Sequence, residues 1–208
     1  MSGSTRSRRV TTIDEVVEVL DGGGCAGLPT DTVYGIAARI DRPAAVRALF
    51  GAKGRERAKA MAVLVADLDQ AVTLGVLDDA ARRLLDRHWP GPLTVVVQRA
   101  PGVEVDLGGE VTSIGIRCPA HSDLLKILRR TGPLVTSSAN RSGDDPLRDA
   151  AAIRRTFDGF VDVVLDGGAV EGRPSTVVDL RGDRPSLLRE GPVKWRAVTS
   201  ALGYAGGR

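Results

Sequence analysis

The run Pro29-Thr30-Asp31-Thr32-Val33-Tyr34-Gly35 constrains this chain more than any other stretch. Apolar residues flank it, Leu28 before and Ile36-Ala37-Ala38 after. Its Pro and Gly exclude a continuous helix, and its polar residues interrupt any simple buried strand. Hydroxyls and a carboxylate set inside a core-like run cost stability unless each finds a hydrogen-bond partner. That partner is either the protein itself, in a locally bonded turn, or a ligand. The stretch from Leu28 to Ile40 reads as a strand pair or one bent strand carrying the motif.

The rest of the chain alternates between the two periodicities. Thr12-Ile13-Asp14-Glu15 is a capping box, followed by Val16, Val17 and Leu20 at helical spacing and stopped by Gly22-Gly23-Gly24. Further helices are expected over 41–52, 67–74, 78–88, 122–130 and 148–157, with a last one opened by Pro192. Strands are expected at 61–65, 93–97, 113–117, 133–137, 161–165, 176–180 and 186–188. The neighbours near 95 and 115, and near 178 and 187, are close enough in sequence to pair antiparallel. These elements predict an α/β chain, a mixed sheet covered by helices.

Composition narrows the function classes. The chain has 208 residues, 42% hydrophobic and 26% charged, which suits one soluble domain over 10–208 behind a disordered basic tail at 1–9. No apolar run reaches the length of a membrane span or a signal peptide, so the expected location is the cytoplasm, with no membrane partner. Cys25 and Cys118 lack metal-ligand spacing and are expected as reduced thiols. His88 and His121 have no second ligand at metal spacing, so surface or packing roles are expected for both. The net charge of +3 permits anionic partners without demanding them. Gly22 to Gly27 matches G-x-G-x-x-G literally, but it follows a helix and leads into Pro29-Thr30, so the dinucleotide context fails.

Four polar clusters remain, each with a plain structural reading beside a functional one. Thr30 to Tyr34 is a self-bonded turn or a ligand wall. Lys53-Gly54-Arg55 with Lys59 is a solvated charge run or a polyphosphate clamp, Arg acting as a fork and Lys as a point charge. Thr136-Ser137-Ser138-Ala139-Asn140 ends a strand in hydroxyls and an amide, either a helix cap or donors at a sheet edge where α/β ligand sites lie. Arg117, Ser175 and Arg189 lie beside or within apolar strands, and an Arg so placed needs an acidic partner from the protein or a ligand.

Taken in order, the segments PTDTVYGI (29–36), KGR (53–55), WPGPLT (89–94), IRCP (116–119), SSANRSG (137–143), STVVDL (175–180) and LLREGP (187–192) resemble the YrdC-like family of threonylcarbamoyl-adenylate synthases. The resemblance spans most of the chain and implies a YrdC/RibB-like twisted open mixed sheet, three layers deep, with a positively lined cavity. It implies an enzyme, a nucleotidyltransferase that makes threonylcarbamoyl-adenylate and pyrophosphate from L-threonine, bicarbonate and ATP, with Mg2+ on the phosphates and no metal ligands from the protein. The product would feed threonylcarbamoyladenosine modification of tRNA through a downstream transfer complex.

By motif, Lys53 and Arg55 would be catalytic and hold ATP phosphates. Lys59, Ser113, Ser138, Asn140 and Arg189 would complete the nucleotide site. Thr32, Tyr34, Arg117, Thr136 and Ser175 would bind threonine. Glu56 stands where the family often has Pro, Lys59 where longer relatives often have Asn or Ser, and Leu64 where some have His. An RNA-binding protein of this fold, using tRNA or double-stranded RNA, is one alternative; 3% aromatic content offers it few stacking platforms. A paralogue acting on another nucleotide is the other.

Overall fold

The structure, a computed structural model, describes residues 11–53, 60–141 and 143–204. The expected basic tail at 1–9, together with Arg55 and Lys59, lies outside the described residues.

Nine strands form one mixed sheet in the order β7-β1-β2-β6-β3-β5-β4-β8-β9. They are β1 (Ala26–Leu28), β2 (Gly35–Arg39), β3 (Ala62–Leu64), β4 (Leu93–Gln98), β5 (Ser113–Arg117), β6 (Leu134–Ser138), β7 (Val163–Val164), β8 (Thr176–Asp179) and β9 (Ser186–Arg189). The helices are α1 (Ile13–Asp21), α2 (Pro43–Lys53), α3 (Leu68–Val72), α4 (Asp79–His88), α5 (Ser122–Thr131), α6 (Ala150–Thr156) and α7 (Trp195–Ala201). The expected antiparallel pairs form, β4 with β5 and β8 with β9. The opening motif connects an antiparallel strand pair, β1 and β2.

Local chemistry accounts for the helix starts. Thr12 and Glu15 complete the capping box reciprocally, at 2.9 and 3.2 Å. Asp67, Asp78 and Asp149 cap α3, α4 and α6 through their carboxylates, and His121 caps α5. The last helix starts later than Pro192 suggests. The Thr176 hydroxyl donates to Val193 O at 2.7 Å and accepts from Gly191 N at 3.0 Å. That pins 191–193 to β8 as a turn, and α7 begins only after Lys194.

The sheet's two faces are covered unequally, which creates the site. One face packs Val63, Val95, Val97, Ile114, Ile116, Val135 and Val178 against α2, α3, α4, α6 and α7. Each fully buried Val, Leu or Ile here contributes about 1.5–3 kcal/mol. On the other face Val16, Val17 and Leu20 of α1 and Leu124, Ile127 and Leu128 of α5 cover Ala37, Leu64 and Leu134. These two helices reach only part of the sheet. Beyond them the same face carries Thr94, Ser113, Gly115, Thr136 and Ser138 around a cavity.

Candidate active site

The period of two along each strand decides which residues meet in the cavity. Ile114 and Ile116 point into the core, so Ser113, Gly115 and Arg117 line the opposite face; Val95 and Val97 leave Thr94 and Val96 there. The cavity encloses about 250 Å³ and is also lined by Thr30, Thr32, Tyr34, Ser175 and Arg189. Its volume approaches that of small-molecule sites and cannot admit a nucleic-acid duplex.

Strand register separates the lining into two ends. Leu64 pairs with both Leu134 and Arg117, and Ala62 with both Thr136 and Gly115. Ser113 and Ser138 therefore lie toward Ala60, and Arg117 toward the opposite end.

At the Arg117 end the opening motif supplies most of the partners. Arg117, 6% exposed, donates from Nε to Gly91 O at 3.0 Å, from one terminal nitrogen to the Thr32 hydroxyl at 2.7 Å and from the other to the Asp31 carboxylate at 2.5 Å. Asp31 is thus the acidic partner that a buried Arg requires. Burial holds the Arg117 guanidinium below its ordinary pKa, Asp31 opposes that shift, and nearby Arg189 adds to it. The neighbouring hydroxyls of Thr94 and Ser175 are 2.8 Å apart. Arg189 donates to Ser175 O at 2.9 Å and to the Ser175 hydroxyl at 3.2 Å, so register and bonding place it at this end.

Tyr34 is among the cavity's lining residues and fully buried, and its hydroxyl donates to Gly168 O and accepts from Gly167 N, both at 2.9 Å. Burial raises its pKa. The 167–172 segment so anchored lies directly over the motif, since a Cβ on Gly172 would fall 2.1 Å from Thr32 O. Gly35 is required similarly: a Cβ there would meet the Thr136 hydroxyl at 2.8 Å. Thr136 itself donates to Ile36 O at 3.2 Å, and Ser113 to Glu110 O at 3.2 Å.

At the other end Lys53 closes α2 with its ammonium buried. It donates to Ser138 O at 2.7 Å, Ser138 Oγ at 3.3 Å and Asn140 Oδ1 at 2.9 Å. The Asn140 amide nitrogen donates to Arg141 O and Asp144 O, which fixes its oxygen toward Lys53. Lys53 and Asn140 stand behind Ser138 and are not part of the cavity lining. The structure therefore brings together Thr32, Tyr34, Ser113, Arg117, Thr136, Ser138, Ser175 and Arg189, with Lys53 and Asn140 attached through Ser138. Thr30, Asp31 and Thr94 join the site beyond the residues given a ligand role by motif. For Thr30 and Asp31 the signal was their place in the motif. For Thr94 it was the alternation with Val95 opposite β5.

Comparison with known proteins places this geometry. The family profile of the Sua5/yciO/yrdC domain, described as telomere recombination, matches residues 18–191. A Mycobacterium tuberculosis protein named as a threonylcarbamoyl-AMP synthase is 40% identical over 200 residues, 95% of this chain and 91% of that protein. The threonylcarbamoyl-AMP synthase of Pyrococcus abyssi is 33% identical over 184 residues, 87% of this chain but 54% of that longer protein. Among solved structures, P. abyssi Sua5 complexed with L-threonine superposes with a TM-score of 0.87 at 31% identity, over 92% of this chain and 57% of that one. Escherichia coli YciO gives a TM-score of 0.83 at 25% identity, over 89% of this chain and 92% of its own.

Proposed function

This chain belongs to the Sua5/YciO/YrdC family, and from that premise we propose that it is an L-threonylcarbamoyladenylate synthase. The reaction joins L-threonine, bicarbonate and ATP into threonylcarbamoyl-AMP with release of pyrophosphate, a nucleotidyl transfer serving tRNA modification in the cytoplasm. One observation carries the reading: a single cavity holds a buried guanidinium among hydroxyls at one end and a lysine-backed serine at the other. An amino acid and a polyphosphate are the ligands such an arrangement suits.

In the proposed chemistry the threonine amine takes up carbon dioxide from bicarbonate, with loss of water, to give a carbamate. A carbamate oxygen then attacks the α-phosphorus, and the bond to the β-phosphate oxygen breaks as pyrophosphate departs. Carbamates decompose in water, so holding both reactants in a shielded pocket contributes more than any nucleophilic side chain. Arg117, Thr32, Tyr34, Thr136 and Ser175 would bind threonine. Lys53 with Arg55, Lys59, Ser113, Ser138 and Asn140 would hold ATP, with Arg189 on the adenylate side.

The lining offers cations and hydroxyls, and the Asp31 carboxylate is committed to Arg117 and Ala120. A magnesium ion therefore fits as part of the ATP complex, bound by phosphate oxygens. When bound, Mg2+ neutralises charge on the departing pyrophosphate.

Pyrophosphate release from Mg-ATP, measured with threonine and bicarbonate omitted in turn, tests the proposal. Release should require both. Release that ignores either omission overturns the reading.

A further inference from the structure

Asp31 belongs to a hydrogen-bonded cluster in which Arg117 also meets Thr32, and Thr32 meets Thr30. The Thr30 hydroxyl donates its only proton to Val33 O at 2.6 Å. Its oxygen accepts from Thr32 N at 3.0 Å and from Val33 N at 3.1 Å, which takes both lone pairs, and it lies 2.9 Å from the Thr32 hydroxyl. Thr32 Oγ1 in turn accepts from Arg117. Thr32, 1% exposed, lines the cavity beside Arg117.

Arg117 is oriented from three directions. Gly91 O takes Nε, Thr32 takes one terminal nitrogen, and Asp31 takes the other. A guanidinium has five N–H groups, so two have no partner among the described residues. Asp31 is itself fixed, since the same carboxylate oxygen accepts from Ala120 N at 3.1 Å, just beyond β5. Its side chain is 14% exposed and that of Arg117 7%. A buried pair like this holds a geometry more firmly than a surface pair does.

We propose that Asp31 is a positioning residue: it holds Arg117 so that its two remaining N–H groups receive the substrate carboxylate. This rests on the synthase reading, in which Arg117 meets the carboxylate of threonine. The pocket end then offers guanidinium N–H donors to the carboxylate of threonine. Asp31 acts through Arg117 and does not touch the reacting atoms.

A double-mutant cycle tests this, with L-threonine and ATP binding followed separately by calorimetry. Asp31→Asn should weaken L-threonine binding about 10–100-fold, the scale of a displaced charged hydrogen bond, and leave ATP affinity within about twofold. In an Arg117→Gln background the same substitution should cost L-threonine nothing further. Equal losses in both backgrounds, or a parallel fall in ATP affinity, would show a merely structural role and overturn the proposal. Asp31→Glu keeps the charge and carries the same comparison if Asp31→Asn melts below the assay temperature.

The Arg117 Nε–H resonance in a nitrogen-15 correlation spectrum gives a readout independent of activity. It should be sharp and slowly exchanging in the parent chain and broadened in Asp31→Asn. An unchanged resonance overturns positioning. A parent chain that keeps the sharp resonance but binds no L-threonine refutes the synthase reading instead.

Discussion

At one end of the cavity Arg117 is held by a carboxylate, a hydroxyl and a carbonyl; at the other Lys53 is held by a carbonyl, a hydroxyl and an amide oxygen. The first cation brings its counter-charge from the motif that forms the wall. The second bonds to Ser138 and Asn140 at the end of β6, and an ammonium has only three N–H groups to share. An anion reaching Lys53 would compete with Ser138 and Asn140, whereas Arg117 keeps two N–H groups without a partner among the described residues. The Arg117 end is therefore suited to discriminating ligands by orientation, and the Lys53 end to stabilising developing charge. Substitutions at the two ends should fail in different kinetic parameters.

The largest effect is expected at the Lys53 end. Lys53→Met keeps the buried stem and removes the charge, so steady-state turnover should fall about 100–1,000-fold, the range for losing one preorganised electrostatic group. The far-ultraviolet circular dichroism should be unchanged. Near-normal turnover would remove the distinction between the two ends.

Next comes the floor between them. Gly115 faces the cavity between Ser113 and Arg117, and a Cβ there would meet Thr94 and Ala62 only at 3.7–3.9 Å, ordinary contact. The fold thus does not need this glycine, in contrast to Gly35, whose absent Cβ lets β2 approach the Thr136 hydroxyl. Gly115→Val should lower kcat/KM about 100-fold through displaced substrate with no loss of melting temperature, because Val suits a strand. A destabilised but fully active variant would return Gly115 to a packing role.

At the Arg117 end, Thr32→Val removes the acceptor that Arg117 uses. The KM for L-threonine should rise about 10–100-fold while that for ATP stays within about twofold. Equal changes in both would merge the two ends into one functional unit.

How far the sequence foretells all this depends on the range of each interaction. Alternation along 93–97 and 113–117 places Ile114 and Ile116 in the core, and Arg117 and Ser113 follow to the other face. Asp and Thr caps are equally local, as at Thr12 and Asp78. What local pattern cannot show is pairing across the chain. Asp31 meets Arg117 across 86 residues, and the Tyr34 hydroxyl meets Gly168 across 134; both depend on how loops lie over a finished sheet. Thr94 was obscured for another reason, because a Thr inside Leu93-Thr94-Val95-Val96-Val97 is also what strand propensity alone would supply. The start of α7 was misread because Pro192 is a sound helix opener in isolation, and only the buried Thr176 hydroxyl holds the chain back.

The smallest effect sharpens the comparison from outside the cavity, at an ion cluster that resembles the Arg117 pair in chemistry but whose guanidinium is more exposed, 24% against 7%. Arg181 donates from Nε and a terminal nitrogen to Asp179, at 3.0 and 2.7 Å, and also pairs with Glu110. The Arg181 hydrogen bond holds the Asp179 carboxyl below its ordinary pKa despite partial burial. A carboxylate whose pKa is depressed by folding adds stability above its unfolded value, about 3.9. That stability is lost as the pH falls through the lower folded value. Asp179→Asn should therefore melt a degree or two below the parent near pH 7, since ion pairs near the protein surface contribute about 0.2–1 kcal/mol. The two melting curves should converge as the pH falls below the carboxylate range. Turnover should stay within about twofold, because Asp179 is not part of the cavity lining. A fall in turnover comparable to that of the Thr32 variant would mean that ion pairs outside the cavity also set the site, and that the built-in counter-charge at Arg117 has no special standing.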